Sequence, residues 1–521
     1  MLKTKERGRC ITLTGANLTV DGVKKIARSA YKVRISKEAM ARCKLSHAFI
    51  RDCADKGLAV YGVTRGVGAC HGRVVKQQEL GTFNASLVRG HCTGVGPPVP
   101  ENEVRAMMAA RLNTMLIGTA GCQPSIARYY AKFLNAGIHP LVPRHGSVGE
   151  ADVTCLAHVG LALMGEGEVF FEGARMDASE ALKRAGIKAL VLGPRDGLAL
   201  VGSNAFAAGP GALVCGDAME ALELADLIYA LSLEAFRGSM APLDLATHGL
   251  RPFWGQAVSA RVVSALLEGS YLHDLPSPAR IQDPLSYRVA TQVHGAARDV
   301  VDGLAKQMAI QLNSSEDNPC VLASEKRVVP CGNFEPLPWV LAFETLGQAI
   351  CHVSKLSCFR SVKMSMSEFT DLPETLAPPE ATVGFNELQK TFTSLHNEIR
   401  HLANPASADF FSIAADMEDH ATNAPFVVRK TALIVENLRR ILGAELLVAA
   451  QAVDLREGSP LGRGTKEIHE LLRSRVPFLK EDRPMTQDLE EAYRIIVSGE
   501  ALRILRKHAS ISSFSKGRSI T

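Results

Sequence analysis

Residues 146–168 read Gly-Ser-Val-Gly-Glu-Ala-Asp-Val-Thr-Cys-Leu-Ala-His-Val-Gly-Leu-Ala-Leu-Met-Gly-Glu-Gly-Glu. Residues 153–164 are apolar enough on all sides to predict an almost fully buried helix. Asp152 directly precedes this helix, where exposed backbone amides favour a carboxylate. The sequence therefore predicts that Asp152 has a capping role rather than a catalytic one.

The two ends of this stretch resemble the signature of the aromatic amino acid ammonia-lyase family. In that family the segment reads Gly-Ser-hydrophobe-Gly, then Ala-Ser-Gly-Asp, then Leu-Ala-Pro-Leu-Ala-His. The Ala-Ser-Gly tripeptide cyclises into methylidene-imidazolone, the electrophile that activates an amino acid for loss of ammonia. In this chain Gly149 is followed by Glu150, Ala151 and Asp152, so the serine that forms the methylidene carbon is absent. We therefore expect no methylidene-imidazolone and no other cofactor.

The absent serine changes the expected substrate. In the family, the electrophile bonds covalently to an amine that is otherwise a poor leaving group. A quaternary ammonium has no lone pair to offer an electrophile, and it already leaves as a neutral tertiary amine. The resemblance is therefore to the branch of the family that acts without the prosthetic group. It implies a 1,2-elimination of trimethylamine from a small-molecule amino acid betaine, ergothioneine or a related histidine betaine, to give thiourocanate in the case of ergothioneine.

Two other readings remain open. The chain could be a histidine or other aromatic amino acid ammonia-lyase or aminomutase that works by acid–base catalysis alone. It could also be a non-catalytic relative that serves as a binding protein. Turnover of ergothioneine, hercynine and histidine side by side separates these readings.

The composition limits the class of protein. The chain has 521 residues, of which 46% are hydrophobic, and its 59 basic and 54 acidic residues leave a net charge of +5. No basic stripe interleaved with aromatic residues indicates nucleic acid binding. The 12 cysteines form no C-x-x-C pair or zinc-like cluster, so we expect reduced thiols and no metal. Without a secretory h-region or an apolar run of roughly 18 residues, we expect a cytoplasmic protein that does not enter a membrane.

The pattern of apolar residues predicts a mainly α fold. Helices are expected over 101–134 and 217–236, and later over 336–360, 386–402, 425–456 and 486–507. We expect an N-terminal mixed region with substrate loops over 1–210, a central helical bundle over 211–480 and a C-terminal helix with a basic tail over 481–521. The family resemblance implies an ammonia-lyase/fumarase-like long helical bundle. It also implies a homotetramer whose active sites are shared between subunits.

Three candidate site residues lie in the first half of the chain. Tyr61 opens Tyr-Gly-Val-Thr-Arg-Gly-Val-Gly, which resembles the family's Tyr-Gly-Val-Asn-Thr-Gly-Phe-Gly and implies that Tyr61 is the catalytic base. His91 aligns with a family histidine beside the substrate. From the residues alone it is equally a buried histidine that holds a loop through backbone hydrogen bonds. Asn204 lies shortly after Gly202, which occupies the position of a family asparagine, and we expect Asn204 to contact the substrate.

Residues 282–288 and the Gly-Asn-Phe segment at 332–334 also resemble family motifs. The resemblance implies that Arg288 holds the substrate carboxylate, a task that suits a planar bidentate donor, and that Gln282 lies in the same site. Tyr287 is interpreted as replacing a family tyrosine from a neighbouring position. Phe334 and Tyr287 are candidates for the aromatic faces that attract a quaternary ammonium.

The last two candidates are charged. Glu418 lies in Asp-Met-Glu-Asp-His, which resembles the family's Asn-Gln-Glu-Asp-His and implies a catalytic carboxylate near the substrate ring. We expect it in a buried helical region, where it needs a cationic or N–H partner; the alternative is an ion pair with a nearby Arg or Lys. Lys390 replaces an apolar family residue and is either a buried general acid or a lysine whose charge reaches solvent. In the catalytic reading, both bind and protonate the imidazole-thione.

Overall fold

The structure is a computed structural model that describes residues 9–275, 280–456 and 458–509. It is mainly helical, as the sequence predicts. The helices, in chain order, are Val20–Arg28, Lys37–Asp55, Leu80–His91, Glu101–Met115, Pro124–Ala136, Val153–Leu163, Ala178–Arg184, Asp196–Val201, Ala205–Phe236, Leu245–Gly249, Trp254–Leu266, Leu285–Arg288, Ala290–Gln311, Leu337–Met364, Ser367–Thr370, Leu388–Leu402, Ala424–Asp454, Arg463–Arg473, Thr486–Val497 and Glu500–His508.

The chain forms two compact units, and neither is a single continuous stretch. The first contains residues 1–216, 304–341 and 405–429, and the second contains 217–303, 342–404 and 430–521. The end of the first segment lies close to the boundary predicted at residue 210. The structure differs from the three consecutive regions predicted from the sequence, because two later segments return to pack with the first. Residues 510–521, which include much of the predicted basic tail, lie outside the described residues.

All the strands among the described residues belong to the first unit. Cys10–Leu13 pairs in parallel with Lys32–Ile35. The other pairings are antiparallel, and they join Val95–Pro98 to Pro143–His145, His139–Pro140 to Glu168–Phe171 and on to Ala174–Asp177, and Cys320–Leu322 to Arg327–Val329. The helix Glu101–Met115 is buried on every side from Val104 onward and forms the centre of this unit. This mixed architecture presents the loops that form the candidate site.

The second unit is helical, and buried ion pairs connect its helices. Arg360 and Glu445 are both fully buried, and Arg360 Nε lies 2.6 Å from Glu445 Oε1. Burial by itself would raise the pKa of Asp226, but a hydrogen bond to His294 and the charge of Arg298 hold the pKa below its usual range. Pairing of this kind is what permits charged groups in an apolar interior.

One stretch, Asp196–Phe236, is long and apolar enough by length and composition to cross a membrane. In its most apolar window, 83% of the residues are buried inside the protein. The same stretch therefore has the environment of a core helix, and its composition is only weak evidence for a membrane span.

Candidate active site

A cavity of about 630 Å³ lies in the first unit and brings together loops that are far apart in the sequence. Five parts of the chain form its walls: the glycine-rich loop that begins at Tyr61, the loop around Glu150, the helix Asp196–Val201 with its two ends, the segment 316–335 and the segment 417–420. The polar groups that line it include Tyr61, Glu150, Glu335 and Glu418. The predicted aromatic residue Phe334 also lines it.

The glycine-rich loop holds the hydroxyl of Tyr61 in place. The backbone N–H of Gly68 donates a hydrogen bond to the Tyr61 hydroxyl oxygen over 2.7 Å. Gly68 has a φ of +52°, a conformation that glycine adopts without strain. The Tyr61 side chain is half-buried and faces the cavity, so its oxygen is accessible to a small molecule there.

The side chain of Arg195 also holds the glycine-rich loop that begins at Tyr61. It is 1% exposed, and it donates to the backbone carbonyls of Ala120 (3.1 Å), Pro319 (2.7 Å) and Tyr61 (3.4 Å). Burial lowers the pKa of Arg195. The guanidinium therefore connects three backbone segments, and its N–H donors are used in these hydrogen bonds.

The loop around Glu150 has an unusual backbone conformation, with positive φ at three of its residues. Gly149, Ala151 and Asp152 have φ values of +86°, +57° and +44°. The N–H of Ala151 donates to Asn204 Oδ1 over 3.0 Å, and the carbonyl of Ala151 accepts from the N–H of Ser203 over 2.8 Å. These bonds fix the direction in which Glu150 projects.

The predicted capping role of Asp152 is wrong in its detail. Asp152 does stand at the N-terminus of Val153–Leu163, but its side chain makes no capping hydrogen bond there. It accepts instead from the Ser147 hydroxyl and, over 3.1 Å, from the backbone N–H of Ala207 in another helix. Because Asp152 itself has positive φ, its carboxylate turns away from its own helix. Burial raises the pKa of this carboxyl to about 7.

An acidic cluster lines one side of the cavity. One carboxylate oxygen of Glu150, one of Glu335 and a ring nitrogen of His420 all lie within 4.8 Å of one another. The His420 Nε2 atom is 3.1 Å from Glu335 Oε2. Burial, followed by hydrogen bonding to Glu335 and repulsion from Glu335, Asp152 and Glu418, raises the pKa of Glu150 to about 9. The Glu150 Oε1 atom is buried without a hydrogen-bond partner among the described residues.

Two further carboxylates reach the cavity but are already paired. Glu316 accepts from the Ser203 hydroxyl and from Gln311 Nε2 over 2.8 Å. Asp317 lies 2.9 Å from Arg111 Nη2, and both side chains are buried. Glu316 and Asp317 are therefore engaged with neighbouring residues of the protein, and the rest of the acidic wall consists of the Glu150 cluster with Glu418 and Asp419.

The structure places Glu418 differently from its predicted environment. It lies in an exposed turn, where its backbone bonds with Ile413, and not in a buried helix. The segment that carries it still reaches the cavity. The motif located this residue but not its surroundings, because the motif says nothing about whether the surrounding backbone is helical.

Two predicted residues of the first unit make internal contacts. His91 ends its helix with Nδ1 lying 2.7 Å from the Leu87 carbonyl, and it does not line the cavity. Asn204 is 1% exposed and donates to the carbonyl of Phe334 while accepting from Ala151. Asn204 therefore does not face the cavity and instead positions the two segments that carry Ala151 and Phe334.

The other four predicted residues belong to the second unit. Tyr287 is fully buried, stacks on Phe236 with ring centroids 3.8 Å apart, and donates its hydroxyl to the Arg360 carbonyl over 3.1 Å. It is placed as a core residue, because both its ring and its hydroxyl are used in the interior. Gln282 is exposed.

Arg288 and Lys390 differ in how their charges are used. Arg288 is half-buried, and its Nε is buried with no hydrogen-bond partner among the described residues. Lys390 is 80% exposed and forms an ion pair with Glu387 on its own helix. In the second unit taken by itself, Arg288 has an unused donor, whereas Lys390 has the environment of a solvent-exposed lysine.

Glu150, Arg195 and His420 were not among the sequence candidates. Glu150 could have been noticed, since a carboxylate stands there in place of the expected tripeptide. The sequence next to Arg195 does not indicate its role. The sequence next to His420 does not indicate that it lies close to Glu150. Both depend on contacts between distant parts of the chain.

The loop chemistry does not fit the prosthetic group of the family resemblance. Between Gly149 and Asp152 the chain supplies only Glu150 and Ala151, so no serine hydroxyl is available for dehydration. The N–H of Ala151 is also occupied by Asn204. The side chain that this loop presents to the cavity is the carboxyl group of Glu150.

Fold and loop motifs together define the class of the protein. The chain matches the aromatic amino acid lyase family over residues 18–474 and belongs to it. This confirms the resemblance found in the sequence, and the protein is a carbon–nitrogen lyase.

The chain is similar to several individual members of this family. The chain is 35% identical over 502 residues to the histidine ammonia-lyase of Treponema denticola, covering 96% of this chain and 99% of the relative. It is similar to the crystal structure of ergothionase from Treponema denticola, an ergothioneine-degrading enzyme in complex with desmethyl-ergothioneine sulfonic acid. That similarity has a TM-score of 0.90 and 38% identity, over 95% of this chain and 99% of the other. Histidine ammonia-lyase from Trypanosoma cruzi is similar with a TM-score of 0.90 and 29% identity, over 96% of each chain.

Proposed function

We propose that the protein eliminates trimethylamine from ergothioneine or a related histidine betaine, without a methylidene-imidazolone group. The observation that carries this proposal is the loop at Glu150–Ala151, which lacks the serine needed to make the electrophile. A substrate whose nitrogen is already quaternary does not need that electrophile. The 38% identity to ergothionase supports the same choice of substrate.

The proposed reaction is a 1,2-elimination. Tyr61, acting as a base, removes a proton from the β-carbon, the α-carbon–nitrogen bond breaks, and its electron pair leaves with trimethylamine. The electron pair of the β-carbon–hydrogen bond forms the new double bond, which is conjugated with the ring. The N–H of Gly68, 2.7 Å from the Tyr61 oxygen, supports negative charge on that oxygen before it takes the proton.

The substrate's other groups need partners too. Phe334 offers an aromatic face to the quaternary ammonium, and this part of the proposal rests on Phe334 alone, because Tyr287 is occupied in the core. Glu418 is proposed to bind the imidazole-thione ring. Lys390 is proposed to act with it as an acid.

We further propose a homotetramer in which Gln282, Arg288 and Lys390 come to the cavity from other copies of the chain. The unused donor of Arg288 suits the substrate carboxylate. Assembly would also change the environment of Lys390, which is exposed in the single chain. We propose the cytoplasm as its location, consistent with the absence of disulfide bonds among the 12 cysteines, all of which lie in the described residues.

The test is parallel incubation of the purified protein with ergothioneine, hercynine and histidine. Trimethylamine and the conjugated acid are measured for the betaines, and ammonia and urocanate for histidine. We expect trimethylamine from a betaine and no ammonia from histidine. Brisk ammonia release from histidine would instead favour the activity named for the histidine ammonia-lyase relatives. Binding without turnover would favour a binding protein.

A further inference from the structure

The cavity has more acidic than basic groups. Carboxyl groups of Glu150, Glu335 and Glu418 line it, together with Asp419 and the paired Glu316 and Asp317. Its one lining guanidinium, Arg195, is committed to three backbone carbonyls. Its other basic groups are two histidines, and one of these, His420, already contacts Glu335. The described wall is therefore suited to a ligand with positive charge.

Glu150 is the lining carboxyl that has an unused atom. Among the described residues of the cavity wall, it is the one whose buried carboxyl oxygen, Oε1, has no hydrogen-bond partner. Its neighbour Glu335 uses Oε1 to accept from the N–H of Leu337 over 2.8 Å and Oε2 to contact His420. An unsatisfied buried oxygen is costly unless a ligand completes its surroundings.

We propose that Glu150, paired with Glu335, is the contact for the positively charged nitrogen of the substrate, and that the pair releases a proton as this cation binds. This inference rests on the proposed function, which supplies the quaternary ammonium. It assigns to Glu150 a role in the same loop that lacks the electrophile-forming serine. Glu150 would act by charge complementarity and form no covalent bond.

The charge state of the pair supports this role. Burial and the neighbouring Glu335, Asp152 and Glu418 raise the pKa of Glu150 to about 9, so Glu150 holds a proton near neutral pH. His420 faces the pair from the segment 417–420, with its Nε2 3.1 Å from Glu335 Oε2. A bound cation favours the ionised carboxylate and lowers its pKa, which expels the proton. Proton release should disappear above about pH 9, where Glu150 is already ionised.

The experiment uses the full-length protein and tetramethylammonium chloride, a cation that cannot react. Titration calorimetry at pH 7.5 in two buffers of different ionisation enthalpy measures proton release, with sodium chloride as the salt control and EDTA present to exclude divalent ions. We expect release of about one proton in the wild type. In Glu150→Gln we expect no release and about tenfold weaker binding.

Two variants make the result interpretable. Glu166→Gln is the matched control, because Glu166 is a partly exposed carboxylate that pairs with Arg89 and does not line the cavity, and this variant should behave as wild type. Glu150→Asp keeps the carboxyl and should retain proton release. If the glutamine variant fails to fold, the wild-type titration repeated above about pH 9 takes its place, and proton release that persists there would contradict the inference. Absent binding in the wild type, or equal proton release in Glu150→Gln, would overturn the inference. Ergothioneine turnover by the same wild-type preparation tests the proposed function separately.

Discussion

The side-chain amide of Asn204 joins two loops of the active-site cavity: its oxygen accepts from the N–H of Ala151 over 3.0 Å, and its nitrogen donates to the carbonyl of Phe334. Asn204 is 1% exposed, so its own amide has almost no contact with solvent and depends on these two bonds. The loop that carries Glu150 and the segment that carries Phe334 are therefore positioned by one side chain.

Asn204→Ala should lower both stability and turnover. Leaving the half-buried N–H of Ala151 and carbonyl of Phe334 unpaired costs about 1 kcal/mol each, the lower end of the range for buried groups, and urea denaturation will measure this loss. Asn17→Ala is the control, because Asn17 also makes two hydrogen bonds to backbone groups but is exposed. A stability loss as small as that of the control would contradict the positioning role of Asn204.

Gly149→Ala should displace the loop before Glu150. An added Cβ would lie 2.4 Å from the backbone nitrogen of Ala424, and the residue has a φ of +86°. Gly57→Ala separates the two causes, because Gly57 has a φ of +66° and no atom within 4 Å of the added Cβ. We expect the Gly57 variant to lose about 1 kcal/mol from strain alone and the Gly149 variant to lose more, together with its turnover. Equal losses would remove the clash as an explanation.

Tyr61→Phe should reduce turnover strongly while substrate binding changes little. Removal of a positioned general base typically costs about 10²–10⁴ in rate. The measurement is kcat and KM for the substrate identified in the turnover test. Tyr129→Phe removes a hydroxyl that donates to the Lys188 carbonyl away from the cavity, and its kinetics should match wild type. A Tyr61→Phe enzyme with normal kcat would require a different base.

Arg288→Lys should raise KM although the positive charge is kept. A lysine cannot reproduce the two parallel donors that a guanidinium offers a carboxylate. Arg261, on a helix of the same unit, lies outside the proposed site, and Arg261→Lys provides the comparison. Unchanged KM in Arg288→Lys would show that the substrate carboxylate is held elsewhere.

Stability should fall as the pH rises through neutrality, and Asp152 should contribute to this trend. Burial raises the pKa of Asp152 to about 7, above its value of about 3.9 in an unfolded chain. Its stabilising contribution is therefore fully present below about pH 4 and is lost as the pH rises through about 7. Asp152→Asn should flatten the curve of unfolding free energy between pH 5 and 8.

Asp482→Asn is the control for this pH dependence. Hydrogen bonds from the N–H groups of Val383, Thr382 and Gly384 lower the pKa of Asp482, so its contribution is lost only in acid. The Asp482→Asn curve should run parallel to wild type between pH 5 and 8. An Asp152→Asn curve that also runs parallel to wild type would show that Asp152 does not titrate in this range.

The helical part of the fold could be predicted because apolar spacing is a local property. The predicted helices 386–402 and 425–456 correspond to Leu388–Leu402 and Ala424–Asp454. The predicted helix 486–507 is instead two, separated at Gly499 with a φ of +83°. A single glycine in an otherwise helical pattern does not reveal its own φ, so this break was missed.

The site was predictable only in part, for the same reason. Tyr61, Phe334 and Glu418 were found from short motifs, and all three line the cavity. The grouping of Glu150, Glu335 and His420 depends on three distant segments, and no local pattern records it. Asp152 shows a related limit, since a helix-end rule cannot anticipate that the carboxylate bonds to Ala207 in another helix.

The cavity draws on residues as far apart as Tyr61 and His420. A ribosome therefore releases most of the polypeptide before the last lining residues emerge, and no amino-terminal fragment ending before residue 417 can possess the complete pocket. Premature termination upstream of that point yields a product whose acidic wall lacks Glu418, Asp419 and His420, however well its earlier helices form.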